Sequence, residues 1–147
     1  PYFYTILVSG VDDHNGGSDT NILVAVDAEN DYIYGVSIPR DTKAVINGKN
    51  HKINFAYNSG GTALLAETIS QQLGIPVDFT VTVDLDGFAA LVEAISMGVD
   101  KISFSTLPNE WRSPYIYLDP DATLELVNQY LNPYVEDRTM EDLDIPS

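Results

Sequence analysis

SGVDDHNGGSDTNILVAVDAENDYIYGVSIPRDT, residues 9–41 closed by Thr42, decides how the rest of the chain is read. Two stretches in it carry most of the information: Gly10-Val11-Asp12 to Ser18-Asp19-Thr20, and Ser37-Ile38-Pro39-Arg40-Asp41-Thr42. Each borders an apolar run with strand character. Residues 2–9 are apolar and β-rich, residues 21–26 form a short buried run, and residues 32–38 are rich in aromatic and β-branched side chains. Asp12, Asp19, Arg40 and Asp41 therefore fall where strands begin or end. In open α/β sheets, ligands bind at the loops beyond the carboxyl ends of strands. Two carboxylates on a glycine-rich loop with an arginine nearby suit a hard metal ion together with an anion such as phosphate. Residues 10–18 hold three glycines, an asparagine and two aspartates. A plain polar loop would look the same, and composition alone favours it.

Working outward, Glu29-Asn30-Asp31 reads as the turn of a hairpin, and Pro39 ends its second strand. Residues 43–46 suit a short edge strand followed by an Asn47-Gly48 turn. Residues 51–57 then alternate Lys52 and Asn54 with Ile53 and Phe55, which predicts an extended segment with the polar side chains on one face. Gly60-Gly61 breaks the chain, and Thr62 caps a helix over residues 63–73. Its stripe is Leu65, Ile69 and Leu73, and Gly74 is the stop. A further strand is expected over 77–83. Asp86 is the expected N-cap of a helix near 87–97 carrying Phe88, Leu91, Val92 and Ile95, and Asp84 reads as a turn residue. Residues 99–104 suit another strand. Residues 106–114 read as a loop, with Trp111 as a packing residue, and 115–118 as extended. Asp119-Pro120 opens a final helix with Leu124, Val127, Tyr130 and Leu131 on its apolar face, stopped at Asn132-Pro133. The acidic stretch after Tyr134 is expected to wrap the surface or fray.

The 147 residues fit one domain with a sizeable core, and 44% hydrophobic content argues against disorder. No run of about 18 apolar residues is present, so nothing in the chain predicts a membrane span. Pro1 leads almost directly into a strand with no initiator methionine, which reads as a trimmed start and leaves room for an N-terminal anchor ahead of it. Without cysteine there is no disulfide, thiolate zinc site or cysteine nucleophile. His14 and His51 lack a second histidine at helical spacing, which argues against zinc. A net charge of −15 argues against DNA or RNA as a partner. Yet four of the seven basic side chains, Arg40, Lys43, Lys49 and Lys52, lie in one short stretch, as a local patch facing an anion would require.

These motifs, in this order, resemble the LytR-CpsA-Psr (LCP) family: GVD…SDT, SIPRDT, HKINFAY, a Gly-Gly-capped helix ending LGIPVD, then VDLDGFAALVEAI and GVD. They cover about residues 5–100. A TLP stretch, residues 115–119 and a helix running into LNPY resemble the family's C-terminal segment. The resemblance implies a single domain over residues 1–147: N-terminal motifs over 1–100, C-terminal segment over 101–134, acidic tail over 135–147. It implies an α/β fold, an α-β-α sandwich with a central mixed β-sheet. It implies an extracytoplasmic bacterial enzyme, tethered by an N-terminal helix, that moves a glycopolymer from a polyprenyl-pyrophosphate carrier to peptidoglycan. Carried over by motif, Asp12 and Asp19 match the carboxylates that hold Mg2+. Arg40 and Asp41 match the catalytic PRD motif, with Arg40 on the pyrophosphate, and Lys52 matches a further phosphate contact. Asp41 would orient Arg40 or help deprotonate the attacking sugar hydroxyl.

Two departures stand out. The first loop has His14 and Gly17 where members often carry arginine. The family's later arginine-rich block, R-x-R…GD-x-x-R-x-x-Q, has no counterpart, because Asp100 runs straight into Lys101-Ile102-Ser103. Each charge-assisted phosphate contact is worth about 1.5–3 kcal/mol, so its loss would weaken binding severely. The alternative to the enzyme is a degenerate LCP-like module that binds anionic glycan, lipid phosphate or a protein partner without turnover. A surface domain with a calcium-binding loop ranks behind both. A shortened domain also leaves an edge or apolar wall for a second copy to cover, which makes a homodimer an expectation.

Overall fold

The computed structural model describes residues 2–11, 18–84, 86–87, 89–90, 93 and 102–147, with Ser18 and Asp19 described through their backbone alone. Its centre is a five-stranded mixed sheet. The strands are β1 (Phe3–Val11), β2 (Ser18–Asp27), β3 (Tyr32–Ile38), β6 (Phe79–Val83) and β7 (Ile102–Thr106), in the order β6-β1-β2-β3-β7. β1, β2 and β3 pair antiparallel, and the edge strands β6 and β7 pair parallel to β1 and β3. Two ribbons complete the strands among the described residues: β4 (Lys43–Ile46) with β5 (Lys49–Lys52), and β8 (Asn109–Arg112) with β9 (Tyr115–Leu118). The α/β class with a mixed central sheet is as expected.

Period-two alternation fixes which face is buried. Leu7 of β1, Leu23 and Ala25 of β2, and Tyr34, Val36 and Ile38 of β3 face inward at 4% exposure or less. Against them pack Leu65, Ile69 and Leu73 of helix α1 (Asn54–Leu73), the stripe read from the sequence. Val127 and Leu131 join the same core. They lie on a π-helical turn, Val127–Leu131, that extends α2 (Pro120–Leu126). Burying each such aliphatic side chain is worth about 1.5–3 kcal/mol. Tyr130 stacks on Tyr34 with ring centroids 4.0 Å apart, and the Tyr32 and Tyr34 hydroxyls pair with Ser103 and Ser105 of β7. Burial pushes the Tyr34 phenol above its ordinary pKa, and the Ser105 hydrogen bond opposes this.

The turns follow local chemistry. Asp31 and Asn47 take positive φ of 53° and 54°, conformations that short polar side chains tolerate. Asp119 accepts the Ala122 N–H at 3.0 Å, with Pro120 at the first helical position. Gly60 and Gly61 leave helical geometry inside α1, the break that the paired glycines predict.

Four expectations are corrected. Residues 54–57 are helical, not extended: β5 ends at Lys52 and α1 begins at Asn54. Ile53 is fully buried and gives its N–H to the Thr42 carbonyl at 2.8 Å, and the chain turns there because Ala56 bonds back to the Ile53 carbonyl. Strand propensity of Phe55 and Tyr57 is a weak prior beside those ties. The 106–114 loop contains β8, and its Trp111 is 57% exposed and so is not a packing residue. Asn-Glu-Trp-Arg lacks alternation, so its pairing with β9 was not legible locally. The strand expected over 77–83 starts at Phe79, since Asp78 is drawn into side-chain bonding with Thr5. Asp86 has helical backbone, and Asp84 is the residue that accepts the Gly87 N–H, at 2.6 Å. Most of the helix expected over 87–97 lies outside the described residues.

The acidic tail wraps the surface. Its 3-10 turn, Met140–Asp142, is closed by a Thr139–Asp142 capping box, and the Thr139 backbone N–H holds the Asp142 carboxyl below its usual pKa. Gly74, at φ 70°, lies under this tail. A Cβ there would sit 2.5 Å from the Asp142 carbonyl oxygen.

Gly74→Ala combines a left-handed backbone with that clash, so it should destabilise the domain by about 1–3 kcal/mol, read as a lowered urea midpoint. The raised Tyr34 pKa means the fold favours the neutral phenol. That stability is fully present below about pH 10 and is lost as pH rises through the folded-state value. Tyr34→Phe should flatten this alkaline fall in a thermal-melt series.

Candidate functional site

The site forms at the end of the sheet where β1 and β3 finish and β2 begins. Register sets this: Gly10 lies opposite Thr20, Ser9 opposite Asn21, and Asn21 opposite Ile38. Asp19 precedes Asn21 by two residues on β2, and Arg40 follows Ile38 by two. The two sequence stretches thus meet at one edge. Asp12 and the Asp19 side chain lie outside the described residues. Among those described, no cluster of three or more His, Asp or Glu side chains could hold a metal ion.

Beyond Pro39 the backbone is tied from three directions. The Arg40, Asp41 and Thr42 carbonyls accept the N–H groups of Asn54 at 3.3 Å, Ile116 at 2.9 Å and Ile53 at 2.8 Å. Thr42 is 1% exposed, and both its N–H and its hydroxyl donate to the Pro39 carbonyl, at 3.1 and 2.6 Å. The Arg40-Asp41 turn is therefore fixed before its side chains act.

Those side chains converge with Lys52. Asp41 Oδ1 lies 3.4 Å from Lys52 Nζ and 4.0 Å from Arg40 Nε. The structure brings these three predicted residues together from β3's end and from the last residue of β5. All three are a third to a half exposed, so each pair is worth about 0–1 kcal/mol of stability. Among the described residues, Arg40 and Lys52 thus put two cationic groups beside the Asp41 carboxylate, and such groups can donate to an anion. Close by, His51 stacks on Phe55 with ring centroids 3.8 Å apart, a packing role that needs no metal.

Beneath the site lies a pair that the sequence did not single out. Ser9 Oγ and both side-chain polar atoms of Asn21 are buried without a hydrogen-bond partner among the described residues. The two residues are 1% and 0% exposed. A buried polar group left unpaired costs about 1–3 kcal/mol, and such groups in native folds call for an explanation such as a ligand, ion or water. Asn21 Oδ1 and Ser9 Oγ are neutral oxygen donors at the sheet end where β1 finishes and β2 begins. That donor chemistry fits a hard, oxygen-seeking cation such as Mg2+. Only burial could reveal them, since an asparagine after SDT and a serine before GVD have no distinctive spacing.

A cleft of about 450 Å3, lined by Asp27, Asn30, Tyr32 and Tyr130 among others, opens at the opposite end of the sheet, apart from Arg40.

In an α/β domain, a turn beyond a strand's carboxyl end lies where ligands characteristically bind. The sequence pattern described as the LytR_cpsA_psr family matches residues 3–116, and the chain belongs to that family. It is 33% identical over 138 residues, 88% of this chain and 45% of the relative, to a Bacillus cereus protein named polyisoprenyl-teichoic acid–peptidoglycan teichoic acid transferase TagU. The crystal structure of B. subtilis TagV superposes with TM-score 0.54 at 37% identity, covering 63% of this chain and 40% of that one. TagT with bound octaprenyl pyrophosphate lipid superposes with TM-score 0.54 at 29% identity, covering 64% of this chain and 39% of that one. The chain spans less than half the length of each. The fold is therefore the LCP fold over the matched portion.

Asn21→Leu replaces an unpaired buried amide by an apolar side chain of similar size. It should raise stability by about 1–2 kcal/mol, measured as an increased urea midpoint without divalent cation.

Proposed function

We propose that this chain is the core of an extracytoplasmic, LCP-type phosphotransferase that moves a glycopolymer from polyprenyl pyrophosphate to peptidoglycan. The observation that carries it is the convergence of Arg40, Asp41 and Lys52 beyond β3, at the sheet end that holds Ser9 and Asn21. The transferase name of the Bacillus cereus relative and the lipid in TagT support it. No described helix is long and apolar enough to cross a membrane, so the tether of the proposal is not among the described elements.

In this reading Arg40 and Lys52 donate charge-assisted hydrogen bonds to the pyrophosphate oxygens and offset the charge that builds up during transfer. Asp41 holds both cations in place. Its carboxylate also accepts the proton of the incoming sugar hydroxyl. The hydroxyl oxygen bonds the sugar-linked phosphorus, the bridging P–O bond breaks, and polyprenyl phosphate leaves with the bridging oxygen. Mg2+, when bound, would supply charge neutralisation at the phosphate oxygens, with Asp12 and Asp19 as the motif-matched carboxylates and Asn21 and Ser9 as neutral oxygen donors. The fixed backbone of residues 40–42 keeps Arg40 and Asp41 oriented without ligand.

The second reading is an LCP-like module that binds without turnover. The missing arginine block favours it, since Arg112 and Arg138 are the only arginines after Arg40.

Calorimetry with farnesyl pyrophosphate, with and without Mg2+, separates these readings from a misassigned site. Arg40→Ala should weaken binding about 10- to 100-fold, the loss of one charge-assisted contact. Asp12→Ala should abolish the Mg2+ dependence. Parent-like binding by both variants would refute the site. Binding without release of polyprenyl phosphate in the presence of a glycan acceptor would select the non-catalytic module.

A further inference from the structure

A second cationic group sits on the same end of the molecule, assembled from residues some 70 positions apart. Paired strand residues share a face, so Arg112, Tyr115, Glu110 and Tyr117 line one side of the β8–β9 ribbon. The Arg112 guanidinium lies 3.9 Å from the centre of the Tyr117 ring. Lys43 of β4 reaches the same ring at 5.0 Å and that of Tyr115 at 5.8 Å. Tyr115 and Tyr117 meet edge-on, at 85°.

This group is continuous with the Arg40–Asp41–Lys52 site. Lys43 is the cross-strand partner of Lys52, so both ammonium groups rise from one face of the β4–β5 ribbon. The β8–β9 ribbon is bound at Asp41 itself, through the Ile116 N–H and the parallel bridge between Thr42 and Ile116. Four of the chain's seven basic side chains thus gather at this end of a protein with net charge −15. Such clustering against the overall charge is what an anionic ligand needs for local attraction.

The aromatic rings decide the chemistry. A cation over a tyrosine face gains about 0.5–1 kcal/mol at an exposed site, which holds it beside the ring. The Arg112 side chain is 57% exposed, and the Glu110 carboxylate stands 3.7 Å from its Nε. Lys43 gives one hydrogen bond to the Ser147 carbonyl at 2.8 Å. An ammonium has three donors and a guanidinium five, so both retain donors for a ligand. Phosphate oxygens on the cations and sugar or polyol carbons on the ring faces would use the whole surface.

We propose that Lys43, Arg112, Tyr115 and Tyr117 form a second subsite, which takes a phosphate-bearing repeat of the glycopolymer while Arg40 and Lys52 hold the pyrophosphate. It deepens the proposed function and rests on it. It also supplies, from a different part of the chain, positive charge that the absent arginine block would have given.

Trp111 pairs with Ile116 on the other face of the ribbon, so binding is read by calorimetry and not by its emission. The test titrates the full chain with a synthetic glycerol-phosphate pentamer and, separately, with farnesyl pyrophosphate. The pentamer should bind with an affinity that falls as salt rises. The Lys43→Gln, Arg112→Gln double variant should bind it at least 10-fold more weakly, with farnesyl pyrophosphate affinity within two-fold and an unchanged melting temperature. The Lys43→Arg, Arg112→Lys pair should restore pentamer binding. Parent-like pentamer binding by the Gln double variant would overturn the subsite, as would no binding by the parent. Equal competition by inorganic phosphate at matched total phosphate would overturn its assignment to a polymer. If farnesyl pyrophosphate fails to bind the parent, the pyrophosphate reading falls, and the pentamer titration still decides the subsite by itself.

Discussion

Three consecutive carbonyls, those of Arg40, Asp41 and Thr42, hold the functional end of this molecule together. Each accepts an N–H from a different place: the start of α1, strand β9, and the β5–α1 junction. Pro39 ends β3 and cannot continue its ladder, so the carbonyls beyond it are free for these long-range bonds. Thr42 closes the turn by returning both its donors to the Pro39 carbonyl and is itself buried. A turn so constrained has little freedom left to lose when a ligand arrives.

Stability and chemistry are separated in this arrangement. The core is aliphatic and aromatic, built from alternate positions of β1 to β3 against one stripe of α1 and the C-terminal helix. The charged groups above it are exposed and paired too loosely to stabilise the fold much. The reverse holds below, where Asn21 and Ser9 are buried without hydrogen-bond partners among the described residues. Their burial works against stability, and a use in ligand or cation binding is the natural reason to retain them.

Much of the fold was legible because hydrophobic periodicity and turn chemistry agree along most of the chain. β3 and β4, the Gly60-Gly61 break, the stop at Gly74 and the Asp119-Pro120 helix start all lie where local residues put them. Two of the misreadings share one cause. Residues 54–57 and 109–112 have little local preference for what they become, and each is decided by a backbone partner on another segment, Thr42 or β9.

The sequence by itself determined the α/β class, the core stripe and the motifs that place Asp12, Asp19, Arg40, Asp41 and Lys52 among the LCP proteins, because spacing and residue type are local properties. The tertiary structure alone decided that Arg40 and Lys52 both come within 4.0 Å of Asp41, that Asn21 and Ser9 are buried without partners among the described residues, and that Arg112 comes to share a tyrosine ring with Lys43. Those are contacts between segments far apart in the chain. Their geometry is set by sheet register and backbone bonds at the end of β3, which no local pattern records.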